Sequence, residues 1–284
     1  MKKVVGIGFK EVGKIYWFEA GNFKLKAQDK VVVETIRGLE IGTVIQEPRF
    51  VDEAELEHEL KPVLRVANKH DLKKYEDNLV RAASALQRCK EIVKQHGLEM
   101  KLLECEYTLD RSKVIFYYNA DGRVDFRELL KNLASEFRTR IELRQIGPRE
   151  GAKFIGGIGP CGRECCCVTH LREFDMVTMK MAKEQGMNLS ASKVAGLCGK
   201  LMCCIGYEKS LYDEIRSRIP LLGDLVKTPN CEVCKVVGVD YLRELIKVDK
   251  EEAVEVWHAS ELEKVRSHVQ EENPDDLTDD VIEN

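Results

Sequence analysis

The sequence predicts an α+β protein in four ordered parts: a small β-barrel-like unit, a β-α-β-β-α-β unit, a cysteine-rich segment and a second small β unit. Three observations carry this reading. Short β-rich runs broken by turn residues occupy both ends of the chain. Two stretches of helical periodicity interrupt strand-like runs between residues 62 and 146. Seven of the eleven cysteines then fall between Cys161 and Cys204. The expected boundaries are 1–60, 61–147, 148–210, 211–265 and an acidic, disordered tail over 266–284, and a chain of 284 residues has room for two domains or three small ones.

Each element has its reason. Residues 4–9, 14–18, 30–35 and 42–46 are rich in valine and aromatics, with Gly21-Asn22 and Arg37-Gly38 at breaks, and read as strands of a small antiparallel barrel or open sheet. Residues 63–66 form a short apolar strand. A long amphipathic helix follows over 71–96, with Leu72, Tyr75, Leu79, Ala83, Leu86 and Ile92 on one stripe and Gly97 as its stop. Residues 101–109 and 114–119 read as strands joined by a turn at Asp110-Arg111-Ser112. Asp125 and Glu128 stand at capping-box spacing before a helix bearing Phe126, Leu129, Leu130, Leu133 and Phe137. Residues 141–146 close the unit as a strand, in the order of a ferredoxin-like split fold. Residues 211–220 read as a helix, and 224–228, 234–239, 244–248 and 253–257 as strands.

Composition restricts function. Apolar residues make up 44% and charged residues 33%, ordinary for a globular protein. No apolar run approaches the length of about 18 residues needed for a membrane span. Six mostly apolar residues between Met1-Lys2-Lys3 and Lys10 are too few for a signal-peptide core, so no membrane insertion and a cytoplasmic location are expected. The net charge of −4 includes seven acidic residues and no Lys or Arg between His268 and Asn284, which leaves a mildly positive body that permits RNA contact without demanding it. No carboxylate pair, Ser/His/Asp set or phosphate loop stands out, which argues against an enzyme.

The cysteines point to chemistry. Gly159-Pro-Cys161-Gly-Arg-Glu-Cys165-Cys166-Cys167 and Gly196-Leu-Cys198-Gly-Lys-Leu-Met-Cys203-Cys204 resemble each other: a cysteine, a glycine, a basic residue, then a cysteine pair. A thiol cluster this dense in a cytosolic chain reads as metal or redox chemistry rather than a disulfide framework. Iron–sulfur ligation ranks first, because it takes four thiolates at varied spacing and the flanking glycines let backbone N–H groups reach the sulfurs. Structural zinc ranks second, since it leaves three or four thiols unassigned. Redox thiols rank third and inert burial last. The ligand candidates are Cys161, Cys166, Cys167, Cys198, Cys203 and Cys204, with Cys165 and His170 less favoured.

Weaker signals have ordinary readings. Gly157-x-Gly159-x-x-Gly162 lacks the β-α-β context of a dinucleotide site. Cys231-x-x-Cys234 has the spacing of a half zinc site or redox pair, but no second pair accompanies it, and two cysteines in a β loop is the preferred reading. Cys89 and Cys105 read as core residues. Met176, Met179, Met181, Met187 and Met202 are expected to pack a dry shell around the cysteine site. Arg163, Arg172, Lys180, Lys183, Lys193 and Lys200 suit thiolate compensation, RNA contact or a solvated helix face.

With the two cysteine boxes, the stretch Met179-Lys-Met-Ala-Lys-Glu-Gln185, and residues 121–129 and 137–147, the chain resembles the RicT (YaaT) family of stage-zero sporulation proteins with a PSP-one C-terminal domain. The resemblance covers most of residues 1–265. It implies a non-enzymatic subunit of a complex with YlbF-type and YmcA-type helical partners. That complex carries iron–sulfur clusters, here expected as 4Fe-4S with zinc as the alternative occupant. It acts with RNase Y in mRNA maturation and is linked to sporulation, competence and biofilm formation. Carried onto this chain, the resemblance implies one cluster on Cys161, Cys166, Cys198 and Cys203, with Cys167 facing a cluster shared with a partner. Two other readings stay open: a zinc-stabilised RNA-binding module and a thiol redox enzyme.

Overall fold

The computed structural model describes residues 1–52, 60–250 and 253–266, and the chain divides into two compact units, 1–173 and 174–284. The tail expected to be disordered lies, from residue 267 on, outside the described residues. Both units mix helix and sheet, so the α+β class holds, with three open sheets and no closed barrel among the described residues.

The first unit opens with β1 (Lys2–Gly8), β2 (Ile15–Glu19), β3 (Lys30–Glu34) and β4 (Leu39–Val51). With β5 (Val63–Val66) they form a five-stranded antiparallel sheet in the order β2-β1-β4-β3-β5. A single bridge from Glu19 to Pro62 brings the two edges together without a ladder, so the barrel stays open. Strand β3 is buried on both faces: Val31 and Val33 pack with Val5, Ile7 and Val44, while Val32 packs with Ile41 and Leu109.

Joining β5 to this sheet corrects the expected ferredoxin-like unit. Val63, Arg65 and Val66 register against β3, not against the strands that follow. What remains is a three-stranded sheet of β6 (Lys101–Tyr107), β7 (Lys113–Asn119) and β8 (Arg140–Gln145), with β6-β7 antiparallel and β7-β8 parallel. β8 takes the place beside β7 that β5 would have filled. The cause is non-local: β3 offers an open edge and a valine face that accepts β5.

Helix α1 (Lys69–Gln95) starts at a capping box in which Asn68 accepts from the Asp71 N–H and Asp71 accepts from the Asn68 N–H. Its buried face is Asn78, Ala82, Ala85, Cys89, Ile92 and Val93 rather than the bulkier expected stripe; Tyr75, Leu79 and Ala83 are exposed and Leu72 and Leu86 half-buried. Small side chains let the helix lie close on Val114, Phe116 and Tyr118. Buried Asn78 donates to the Thr108 carbonyl and accepts from Arg111. Helix α2 (Arg127–Phe137) lacks the expected Asp125/Glu128 capping box: its N-cap is Phe126, and the Asp125 carboxylate accepts from the Arg127 guanidinium at 2.6 Å and the Arg127 N–H at 3.2 Å. Leu129 and Leu133 fix α2 on the same core. α3 (Pro148–Ile155) and α4 (Cys166–Thr169) complete the unit.

The second unit begins with three short helices, α5 (Met179–Glu184), α6 (Ala191–Val194) and α7 (Cys203–Tyr207), followed by α8 (Lys209–Arg218). Its sheet contains β9 (Leu225–Thr228), β10 (Cys231–Asp240), β11 (Leu245–Lys250), β12 (Ala253–His258) and β13 (Glu263–Arg266), in the order β12-β11-β10-β9-β13. All four residues of β13 are exposed, so no alternation marked it in the sequence; Lys264 closes it onto buried Asp224 at 2.7 Å. No described helix is long and apolar enough to cross a membrane.

Candidate metal centre

The two cysteine boxes fold into the same turn, one in each unit. In box 1 the Gly159 N–H donates to the Arg163 carbonyl at 2.7 Å and the Gly162 N–H to the Gly159 carbonyl at 2.9 Å. In box 2 Gly196 donates to Lys200 at 2.8 Å and Gly199 to Gly196 at 2.9 Å. The Cys165 N–H reaches the Gly157 carbonyl and the Met202 N–H the Val194 carbonyl, at 3.0 and 2.9 Å. Matching bridges, Ile158–Glu164 and Ala195–Leu201, close each loop, and a short helix leaves each one with the cysteine pair in its first turn.

One glycine in each box is required by its backbone conformation. Gly162 and Gly199 share φ = +79°, a left-handed conformation that side chains disfavour. Gly159 and Gly196 lie against the first thiol: a Cβ there would stand 3.5 Å from Cys161 Sγ and 3.8 Å from Cys198 Sγ. Each box is thus a backbone cradle that points one thiol out of a tight turn and two more from a helix start.

The equivalence assigns positions. Cys161 matches Cys198, Cys166 matches Cys203, and Cys167 matches Cys204. Cys165 stands where box 2 has Met202, with the same extended backbone, φ −54° against −60°. His170 ends α4, its N–H donating to the Cys166 carbonyl and its ring sharing a hydrogen bond with the Thr169 hydroxyl at 2.9 Å; box 2 has Tyr207 there. Cys161 is exposed, Cys166, Cys198, Cys203 and Cys204 are half-buried, and Cys167 is buried at 6% exposure.

The thiol donors and the glycine-lined turn of each box are chemically suited to holding a thiophilic metal. Among the described residues, neither unit gathers three Cys, His, Asp or Glu side chains close enough to hold a metal ion. Neither unit alone therefore builds a four-donor site.

The two boxes rest on different supports. Box 1 follows α3, where Phe154 packs on Tyr117 and lies under the Lys10 ammonium, 3.9 Å from the ring centroid. Lys10 in turn pairs with Glu106 at 3.0 Å, and Glu106 accepts from the Tyr117 hydroxyl at 2.7 Å and faces Arg37 at 3.5 Å. Burial works to raise the pKa of Glu106, yet Lys10, the Tyr117 hydroxyl and Arg37 outweigh it and hold the carboxyl below its ordinary range. Burial lowers the pKa of Lys153, on α3, against the opposing pull of Cys167. Sequence reasoning missed this network, because its members come from five separate segments: two loops, β6, β7 and α3. Box 2 rests on a small core of Ala182, Val194 and Ile205, lined by Met181, Met187 and Met202. Those three methionines are half-buried around this apolar core and Met176 and Met179 are exposed, so the expected dry shell of five methionines does not form.

The remaining cysteines divide. Cys89 and Cys105 are core residues, and burial pushes the Cys89 thiol up to about 12. Cys231 and Cys234 are not in a loop: they open β10 and are bonded to each other.

Comparison with known proteins places this arrangement in a class. The PSP1 C-terminal conserved region matches residues 61–146, and the third domain of PSP1-like proteins matches 176–219, which includes box 2. The molecule thus carries a PSP1 C-terminal conserved region. Stage 0 sporulation protein YaaT of Bacillus subtilis is 47% identical over 249 residues, covering 88% of this chain and 90% of the relative, and the chain belongs to the YaaT family. An uncharacterised Schizosaccharomyces pombe protein is 41% identical over 81 residues, 28% of this chain and 11% of the relative. Protein PSP1 of Saccharomyces cerevisiae is 46% identical over 49 residues, 17% and 6% of the two chains. No solved structure matches the chain significantly.

Proposed function

We propose that this chain is a cytoplasmic, non-enzymatic regulatory subunit that carries an iron–sulfur cluster, of the 4Fe-4S type, within a multiprotein complex. The observation that carries this reading is the duplicated cradle, which presents equivalent thiols twice on one backbone design. Cys161, Cys166 and Cys167 would supply thiolates from box 1, and Cys198, Cys203 and Cys204 from box 2. A cluster completed by thiolates of a partner chain would make cluster loading a condition of assembly. When bound, such a cluster supplies a redox-active, oxygen-sensitive cross-link. Membership of the YaaT family supports YlbF-type and YmcA-type proteins as the partners, RNase Y-dependent mRNA maturation as the process, and sporulation, competence and biofilm formation as the outcomes. RNA contact is indirect, through the complex.

Anaerobic purification with these partners tests the reading. The expected product is brown, contains iron and acid-labile sulfide, and absorbs near about 400 nm, as thiolate-bound clusters do. Cys198→Ser should lose that absorption, whereas Cys165→Ser, at the Met202-equivalent position, should keep it. A colourless complex holding zinc alone overturns the proposal.

A further inference from the structure

Among the described residues one cysteine pair is bonded, and it lies outside both boxes. Cys231 and Cys234 stand with Cα atoms 6.2 Å apart at the irregular start of β10, where the register against β9 shifts. Their surroundings differ. Cys234 is 3% exposed and sits among Ile215, Ile219, Val226, Val236, Tyr241 and Ile246, whereas Cys231 is half-buried at the margin of that core.

Ile215 lies in α8, which follows directly on α7 and box 2, and Ile219 caps its C-terminus. Arg216, between them, donates to the Tyr241 hydroxyl at 3.2 Å and to the Glu184 carbonyl at 2.7 Å. Gln185, the next residue, donates to the Ile205 carbonyl behind the box 2 cysteines at 2.6 Å. A chain of packed groups therefore runs from the Cys234 sulfur to the support of box 2, inside one unit.

We propose that Cys231 and Cys234 form a reversible thiol–disulfide exchange site for low-molecular-weight disulfides and thiols, whose oxidation state governs how firmly α8 packs behind box 2. This goes beyond the cluster reading and does not depend on it. In the oxidising direction the accessible Cys231 thiolate attacks a small disulfide RS–SR, forming a Cys231–S–SR bond and releasing RS⁻. The Cys234 thiolate then attacks Cys231 Sγ, breaking that bond, forming the Cys231–Cys234 bond and releasing a second RS⁻. The two protons lost by the cysteines convert the two RS⁻ to RSH. Two electrons pass from the cysteine pair to the small disulfide, and excess small thiol reverses each step. Burial fixes the order: Cys231 meets the reagent and Cys234 resolves.

The full-length chain, anaerobically reduced and then exposed to oxidised glutathione, supplies the test. Remaining thiols are alkylated and the chain digested without reductant for peptide mass mapping. The expected result is an unalkylated peptide with a 231–234 bond, lost again on adding excess reduced glutathione. In Cys234→Ser the glutathione adduct should accumulate on Cys231, at least tenfold over the adduct on Cys234 in Cys231→Ser. Amide exchange in 211–219 of the wild-type chain should rise about tenfold on reduction of the pair. Full alkylation of both thiols after oxidation overturns the exchange site, an adduct favouring Cys234 overturns the order, and unchanged exchange in α8 overturns the coupling. The wild-type mapping needs no variant to fold.

Discussion

Box 1 and box 2 have one backbone and two contexts. The turn hydrogen bonds, the left-handed glycines, the closing bridges and three cysteine positions coincide. The residues around them do not: box 1 leans through α3 on a charged network between two sheets, and box 2 leans on a small apolar core. What repeats is what presentation of thiols requires; what varies is how each unit holds its turn. Cys165 against Met202 illustrates the division, since the helix-entry backbone is kept while the sulfur functionality is not.

The largest test removes the support of box 2. Ile205→Ala truncates a side chain that is 1% exposed in a cluster with few other members. The expected cost is about 3 kcal/mol, the middle of the range for Ile→Ala in a core. Such a loss should raise alkylation of Cys198, Cys203 and Cys204 by roughly 100-fold through local opening, and leave the box 1 thiols at their wild-type rates. Equal acceleration in both boxes would break the separation of supports.

The second test acts on box 1. Glu106→Gln keeps the shape but strips the charge that Lys10, Arg37 and Tyr117 share, at a cost of about 2 kcal/mol. Alkylation of Cys161 and Cys166 should rise and that of box 2 should not. The pH dependence has a definite sign. Because the folded carboxyl titrates below its unfolded value, its stabilisation is present above the ordinary carboxylate range, about pH 4, and is lost as pH falls through the lower folded value. Urea midpoints of wild type and Glu106→Gln should therefore converge on acidification.

How much of this was legible follows from distance along the chain. Helix α1, the β6-β7 hairpin and the strands of both five-stranded sheets except β13 were marked by local composition and periodicity. The destination of β5 was not, because Val63 and Val66 carry no mark of pairing with Val31–Val33, thirty residues earlier. The short helices α3 to α7 have too few turns for a periodic signal, and Asp125 read as a cap although the N-cap of α2 is Phe126. The boxes were legible as repeated cysteines; their shared hydrogen bonds, and the network under Phe154, were not.

A smaller test is the control. Asp71 is held down to about 2 by the Arg65 guanidinium and, less strongly, by the Asn68 N–H, against a burial cost. Asp71→Asn removes half of the capping box and the ion pair with exposed Arg65, a loss of about 1 kcal/mol after solvent screening. That contribution is present above about pH 4 and fades as pH falls toward 2. It should lower the urea midpoint of the first unit without changing thiol reactivity in either box. A response in box 1 would mean that any loosening of its unit reaches the turn, and the Glu106 result would lose its specificity.

The smallest effect is the most discriminating, because it acts on what the boxes share. An alanine at Gly162 or Gly199 meets no atom within 4 Å, so crowding is not the issue. The cost is conformational: at φ = +79° a Cβ crowds its own backbone, which amounts to about 1 kcal/mol. Since both glycines have the same dihedral and equally open surroundings, the two variants should be destabilised by the same amount within a few tenths of a kcal/mol. The double variant should show the sum if the two turns act independently. Urea unfolding of the reduced, metal-free chain measures all three. Unequal costs would mean that context reaches into the cradle itself, and that the two turns, alike in hydrogen bonds, are held in that shape by different forces.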